Sequence, residues 1–176
     1  MLVLFLLSCS MKFPVLSNPW LEQPKVEICD GIVEKEDDIL KAIDLWENLN
    51  SEYDIDSIER SDCSEDRKSG VIRFQEANQD DLDELTNDID DCSRCQVAAF
   101  TTADRDRVNN INVTLAATVF ITEDNNSTII AHELGHAYGW LHTIGSETGH
   151  LMSPKHSLVN SRYGLDHYRD MTWYIE

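Results

Sequence analysis

Residues 132–142 read His132-Glu133-Leu134-Gly135-His136-Ala137-Tyr138-Gly139-Trp140-Leu141-His142, the pattern H-E-x-x-H-x-x-G-x-x-H. On an α-helix, residues i and i+4 lie on one face, one above the other. His132 and His136 can therefore aim imidazole nitrogens at one metal ion. Glu133 faces the same cleft without being forced to bind that ion. His142 lies six residues beyond His136, and a continuing helix would carry it away. Gly139 is the residue able to take a left-handed conformation, end the helix and let the chain bring His142 back as a third ligand. Three protein ligands leave a fourth position open to water, the arrangement of a catalytic zinc site rather than a closed structural one. Glu133 is then the candidate general base. The run Ser127-Thr128-Ile129-Ile130-Ala131 ahead of the motif reads as a capped, apolar approach to a buried helix.

Ten residues past His142 stands Met152, within Gly149-His150-Leu151-Met152-Ser153-Pro154. Together the motif and this turn resemble the metzincins, a family of zinc-dependent endopeptidases. The His-Glu-x-Gly-His core and the Leu-Met-Ser-Pro turn look most like the matrixin branch. Upstream, Asp38-Ile39-Leu40-Lys41-Ala42-Ile43-Asp44-Leu45-Trp46-Glu47-Asn48 resembles the first long helix of that branch, and Ser69-Gly70-Val71-Ile72-Arg73-Phe74 the strand after it.

The resemblance implies an α+β, metzincin-like zincin fold: a twisted mixed sheet, a long backing helix, an active-site helix and a C-terminal helix. It implies one catalytic zinc on His132, His136 and His142, with Glu133 as general base and acid, and Met152 as a hydrophobic floor beneath the metal. A protein or peptide substrate would add as a strand to an exposed sheet edge. Val97, Ala98, Ala99 and Phe100 are the candidates for that edge, with an interior strand as the alternative. Residues 153–164, with Pro154 and Tyr163, would wall an apolar pocket for the residue after the scissile bond. Two departures stand out. None of the six histidines lies upstream of the motif, so the structural zinc of matrixins is not expected. Pro154 occupies the position of the tyrosine found in astacins and serralysins, so Tyr163 and Tyr168 read as wall or core residues. The competing function is a non-catalytic or single-partner binding module that keeps a zinc-stabilised fold.

A chain of 176 residues is long enough for one domain with a sizeable core. The net charge of −19 is uneven: residues 22–91 carry 24 acidic against 7 basic side chains, residues 92–176 carry 9 against 6. A field of that sign repels nucleic acid and anionic membranes, and a monomer is expected. Acidic runs such as Asp80-Asp81-Leu82-Asp83-Glu84 read as solvated helix faces. Calcium binding and adaptation to a salty medium are alternative readings, although no EF-hand spacing is present.

Residues 1–20 read as a signal-like, lipoprotein-like or disordered segment and residues 21–176 as the catalytic domain. The apolar run 1–8 is too short to span a bilayer. Leu6-Leu7-Ser8-Cys9 resembles a lipoprotein cleavage box, so export is expected, with membrane attachment only through lipid at Cys9. Cys29, Cys63, Cys92 and Cys95 then form an even set, which suggests two disulfides with all three connectivities open. A redox or metal role for Cys92 and Cys95 is the weaker reading. So is a Cys29 thiolate capping the metal, as a matrixin propeptide cysteine does. The pattern predicts strands over 25–32, 70–75, 96–101 and 111–121, with a further short strand inside the polar stretch 53–68. It predicts helices over 37–49, 81–89, 128–138 and 165–174. The 37–49 helix buries Ile39, Ala42, Ile43, Trp46 and Leu49.

Overall fold

The structure is a computed structural model and describes residues 16, 18–49, 53, 55–78, 80, 82, 99–142, 151 and 152. Short apolar segments with alternating side chains build one sheet. Its strands are β1 (Lys25–Cys29), β2 (Ile58–Ser61), β3 (Val71–Glu76), β4 (Phe100–Val108) and β5 (Ile111–Ile121). The order is β2-β1-β3-β5-β4. β1 runs parallel to β2 and β3, and β3 parallel to β5, whereas β4 is antiparallel to β5. With α1 (Glu36–Glu47) and α2 (Ser127–Ala137), this is an α+β arrangement around a mixed sheet.

The strand register sorts the two faces. Val26, Ile72 and Ala117 stand in one row, and Ile28, Phe74 and Val119 in the next. All six are buried in one core with Ile39, Ala42, Ile43 and Trp46 of α1 and Ile130, Ala131, Leu134 and Ala137 of α2. The row between them, Glu27, Arg73 and Thr118, points to the other face. There the buried Arg73 guanidinium is compensated by the Glu27 carboxylate at 2.6 Å and the Glu65 carbonyl at 3.1 Å. Arg67 reaches across the same face to Thr118 and Asp104.

The first strand stops at Cys29 rather than running to residue 32: Asp30–Lys35 coils into a 3-10 turn that feeds α1. β4 extends to Val108, well past the predicted end at residue 101. Its charged stretch Asp104-Arg105-Asp106-Arg107 is exposed, so no core face imposes an apolar alternation there. The punctuation is Asn109-Asn110, with φ of 51° and 68°, a two-residue hairpin turn in which both residues adopt the left-handed conformation that Asn tolerates. The helix predicted at 81–89 lies outside the described residues except for the buried Leu82. The helix at 165–174 lies outside them altogether.

Of the three connectivities, the structure contains Cys29–Cys63, with Cα atoms 5.5 Å apart. Cys92 and Cys95 lie outside the described residues. The bond excludes a Cys29 thiolate as a metal cap. It ties the end of β1 to the segment after β2 at the sheet edge, and a disulfide accords with an extracellular, oxidising location. Among the described residues no helix is long and apolar enough to cross a membrane. The bridge closes a separation of 34 residues, for which the loop-entropy relation gives about 3–4 kcal/mol. A Cys29→Ala/Cys63→Ala variant should therefore lose about 2–4 kcal/mol in guanidinium unfolding; an unchanged midpoint would show that the bridge constrains nothing.

Candidate metal centre

α2 carries the motif and is enclosed on nearly all sides. Ile130, Ala131, His132, Glu133, Leu134, Gly135 and Ala137 are all buried, so the helix shows no clean apolar stripe. Its N-cap is Asn126, not Ser127. Asn126 is extended (φ −91°, ψ 169°), and its side chain accepts hydrogen bonds from the Thr128 and Ile129 amides at 3.0 and 3.1 Å. Trp46 of α1 donates its indole N–H to the Ala131 carbonyl at 2.8 Å, immediately before His132.

Two glycines fit the helix to its surroundings. A Cβ on Gly135 would collide with the Met152 sulfur and stand 2.8 Å from the Trp46 ring. Gly139 has φ of 97° and lies against the Asn18 carbonyl. The chain leaves α2 there and returns, and His142 meets the two helical histidines.

The ligand atoms of His132, His136 and His142 all lie within 4.8 Å of one another. The Nε2 atoms of His132 and His136 stand 3.1 and 3.0 Å from Nε2 of His142. The opposite ring nitrogens settle the tautomers. His132 Nδ1 lies 2.6 Å from the Leu151 carbonyl and His136 Nδ1 2.7 Å from the Trp140 carbonyl. A carbonyl oxygen only accepts, so both Nδ1 atoms carry the hydrogen and both neutral rings present lone pairs at Nε2. One Nε2–H on His142 could satisfy only one of those contacts. A cation among the three lone pairs satisfies all of them. Tetrahedral zinc ligands stand about 3.3 Å apart, close to the spacing here. The three histidines could therefore hold a metal ion, with backbone carbonyls orienting two of the rings.

Glu133 is 6% exposed. Burial pushes its carboxyl up to about 7, against the opposing pull of a hydrogen bond from Thr101. The Thr101 hydroxyl lies 2.9 Å from Glu133 Oε2 and 3.0 Å from the Glu133 carbonyl. Thr101 belongs to β4, so the edge strand touches the acidic group directly.

Among the other expected site residues, Met152 is fully buried beside Leu151, and Phe100 opens β4. Ala99 is buried just outside the strand, which begins at Phe100. Val97, Ala98, Pro154, Tyr163 and Tyr168 lie outside the described residues. Sequence reading did not find Thr101, nor the Leu151 and Trp140 carbonyls. A threonine in a strand 32 residues from its partner carries no periodic signal, and a carbonyl is present at every position. No family model and no curated protein sequence matches the chain.

The raised Glu133 carboxyl makes a signed prediction for the metal-free protein. Its folded pKa of about 7 exceeds the ordinary 4.5, so the folded state holds the proton more tightly than the unfolded chain. The stabilisation is fully present below pH 4.5 and is lost as pH rises towards 7. Glu133→Gln, neutral throughout, should gain on the wild type by on the order of 3 kcal/mol across that window. Urea unfolding of both proteins at a series of pH values reads the difference; parallel curves would contradict a buried, neutral carboxyl.

Proposed function

We propose that this chain is a zinc-dependent endopeptidase of metzincin type. One observation carries the reading: three imidazole lone pairs converge beside a buried carboxylic acid, within reach of a sheet edge. A closed structural site would take a fourth protein ligand; here the neighbouring acid, Glu133, follows the first histidine and bonds to Thr101 instead.

His132, His136 and His142 would hold the zinc, which would act as a Lewis acid on a scissile carbonyl and on the attacking water. Glu133 accepts a proton from that water and returns it to the leaving amine nitrogen. A carboxyl held beside the metal can both take that proton and give it back. Thr101 holds the carboxyl on the side of β4. Among the described residues β4 pairs only with β5, and its other edge is available to an extended peptide. The ladder shifts register between Asp104 and Arg105, where β5 carries the extra residue Leu115, and the Phe100 end of β4 is the part next to Glu133. Met152 packs against Gly135 of the helix that bears the first two ligands, the position that suits a hydrophobic floor. The sheet with α1 behind it and α2 against it agrees with the arrangement that the sequence resemblance implies.

A diverse peptide library digested by the zinc-loaded protein, with cleavage sites read by mass spectrometry, tests the proposal. The wild type should cut internal peptide bonds. Glu133→Ala should bind one equivalent of zinc and lose about 10²–10⁴-fold in rate. Near-normal cleavage by the variant would remove Glu133 from its role. Silence from both proteins, each holding zinc, would favour a module whose metal only stabilises the fold.

A further inference from the structure

Leu16, Asn18 and Trp20 lie more than 110 residues from the motif in sequence, yet they hold the turn between His136 and His142. Leu16 forms an antiparallel bridge with Trp140. The Asn18 carbonyl occupies the space that a Gly139 Cβ would take, with the Leu16 side chain beside it at 3.3 Å. Trp20 is buried and donates its indole N–H to the Ala137 carbonyl at 2.8 Å, which satisfies a carbonyl at the end of α2 that has no helical partner. The other side of the segment is fixed to the sheet. Thr114 of β5 donates its amide to the Pro19 carbonyl at 2.9 Å and its hydroxyl to the Asn18 carbonyl at 3.0 Å.

The bridge partner Trp140 is the same residue whose carbonyl accepts the His136 Nδ1–H at 2.7 Å. A chain of contacts therefore runs from Thr114 through Asn18 and Leu16 to the Gly139–Trp140 turn, and from there to His136. Two residues later the same turn delivers His142. We propose that Leu16, Asn18, Pro19 and Trp20 form a positioning strap for the metal centre, which clamps the turn so that His136 and His142 face one ion. Loss of its anchors lets the turn drift, and the two ligands lose their shared aim while α2 stays folded.

The inference rests on the triad as a metal site and not on peptidase activity, so its test reads metal binding. The full chain carries Trp20→Phe, which keeps an aromatic ring but removes the N–H and the pyrrole half of the indole, or Thr114→Val, which keeps the shape and removes the hydroxyl. Zinc affinity is measured by competition with a chelator, and the visible bands of the cobalt(II)-loaded protein report ligand geometry. Both variants should weaken zinc about tenfold and shift the cobalt bands. Thr114→Ser, which restores the hydroxyl, should recover both readouts. Ile28→Val, in the core of β1 and away from the strap, should lower stability and leave both unchanged. Strap variants that melt earlier but match the wild type in zinc affinity and cobalt spectrum would overturn the inference. A wild type that takes up neither metal would overturn the metal centre itself, and the strap with it.

Discussion

Gly135 is the point on which the arrangement turns. The Met152 sulfur and the Trp46 ring both occupy space that any Cβ at this position would fill. The close approach lets α2 pack against both α1 and the Leu151–Met152 turn, with the Trp46 indole bonded to the Ala131 carbonyl. The turn that supplies the sulfur also supplies the Leu151 carbonyl that holds the His132 ring. Packing and ligand orientation are thus one constraint: a displaced helix would lose the contact at Gly135 and the hydrogen bond at His132 together. Interiors packed at crystal density move in discrete steps rather than by gradual deformation, which suits a site that needs fixed nitrogen positions.

Charge is arranged so that the site differs from the rest of the surface. The chain carries a net charge of −19, and most described carboxylates are exposed or paired across the outer face of the sheet, as Glu27 is with Arg73. Glu133 is the exception. It is buried, and the Thr101 hydroxyl bonds its carboxyl. Desolvation dominates, so the carboxyl holds a proton far more readily than an ordinary glutamate. The hydroxyl can donate to the carboxylate, or accept from the acid while donating to the Glu133 carbonyl. The contact therefore survives a change of protonation.

Legibility in the sequence followed the strength of local pattern. α1 was readable because Ile39, Ala42, Ile43 and Trp46 recur at helical spacing and are buried together, whereas Leu49 falls past the helix end and only packs against the core. The β3 and β5 segments were readable as short apolar runs bounded by Gly70 and by the Asn109-Asn110 turn. The far half of β4 was not, because a solvent-facing edge strand needs no alternation and here alternates charge instead. α2 starts at Ser127, one residue before the predicted start at 128, because the Asn126 side chain accepts the first amide hydrogen bonds.

The sequence by itself determined the donor set. Histidines at i and i+4 on a helix share a face, and the glycine three residues later permits the chain to turn back, so three imidazoles and an acid within eleven residues constrain the chemistry whatever else folds around them. Tertiary structure alone decided the rest. It paired Cys29 with Cys63, placed Thr101 on Glu133, fixed two ring tautomers through the carbonyls of Leu151 and Trp140, and laid Leu16, Asn18 and Trp20 against the turn that leads to His142. Each of these joins residues distant in the chain, or uses backbone atoms that every residue possesses. No local periodicity encodes such contacts; they exist only once the sheet register and the helix packing have brought the partners together.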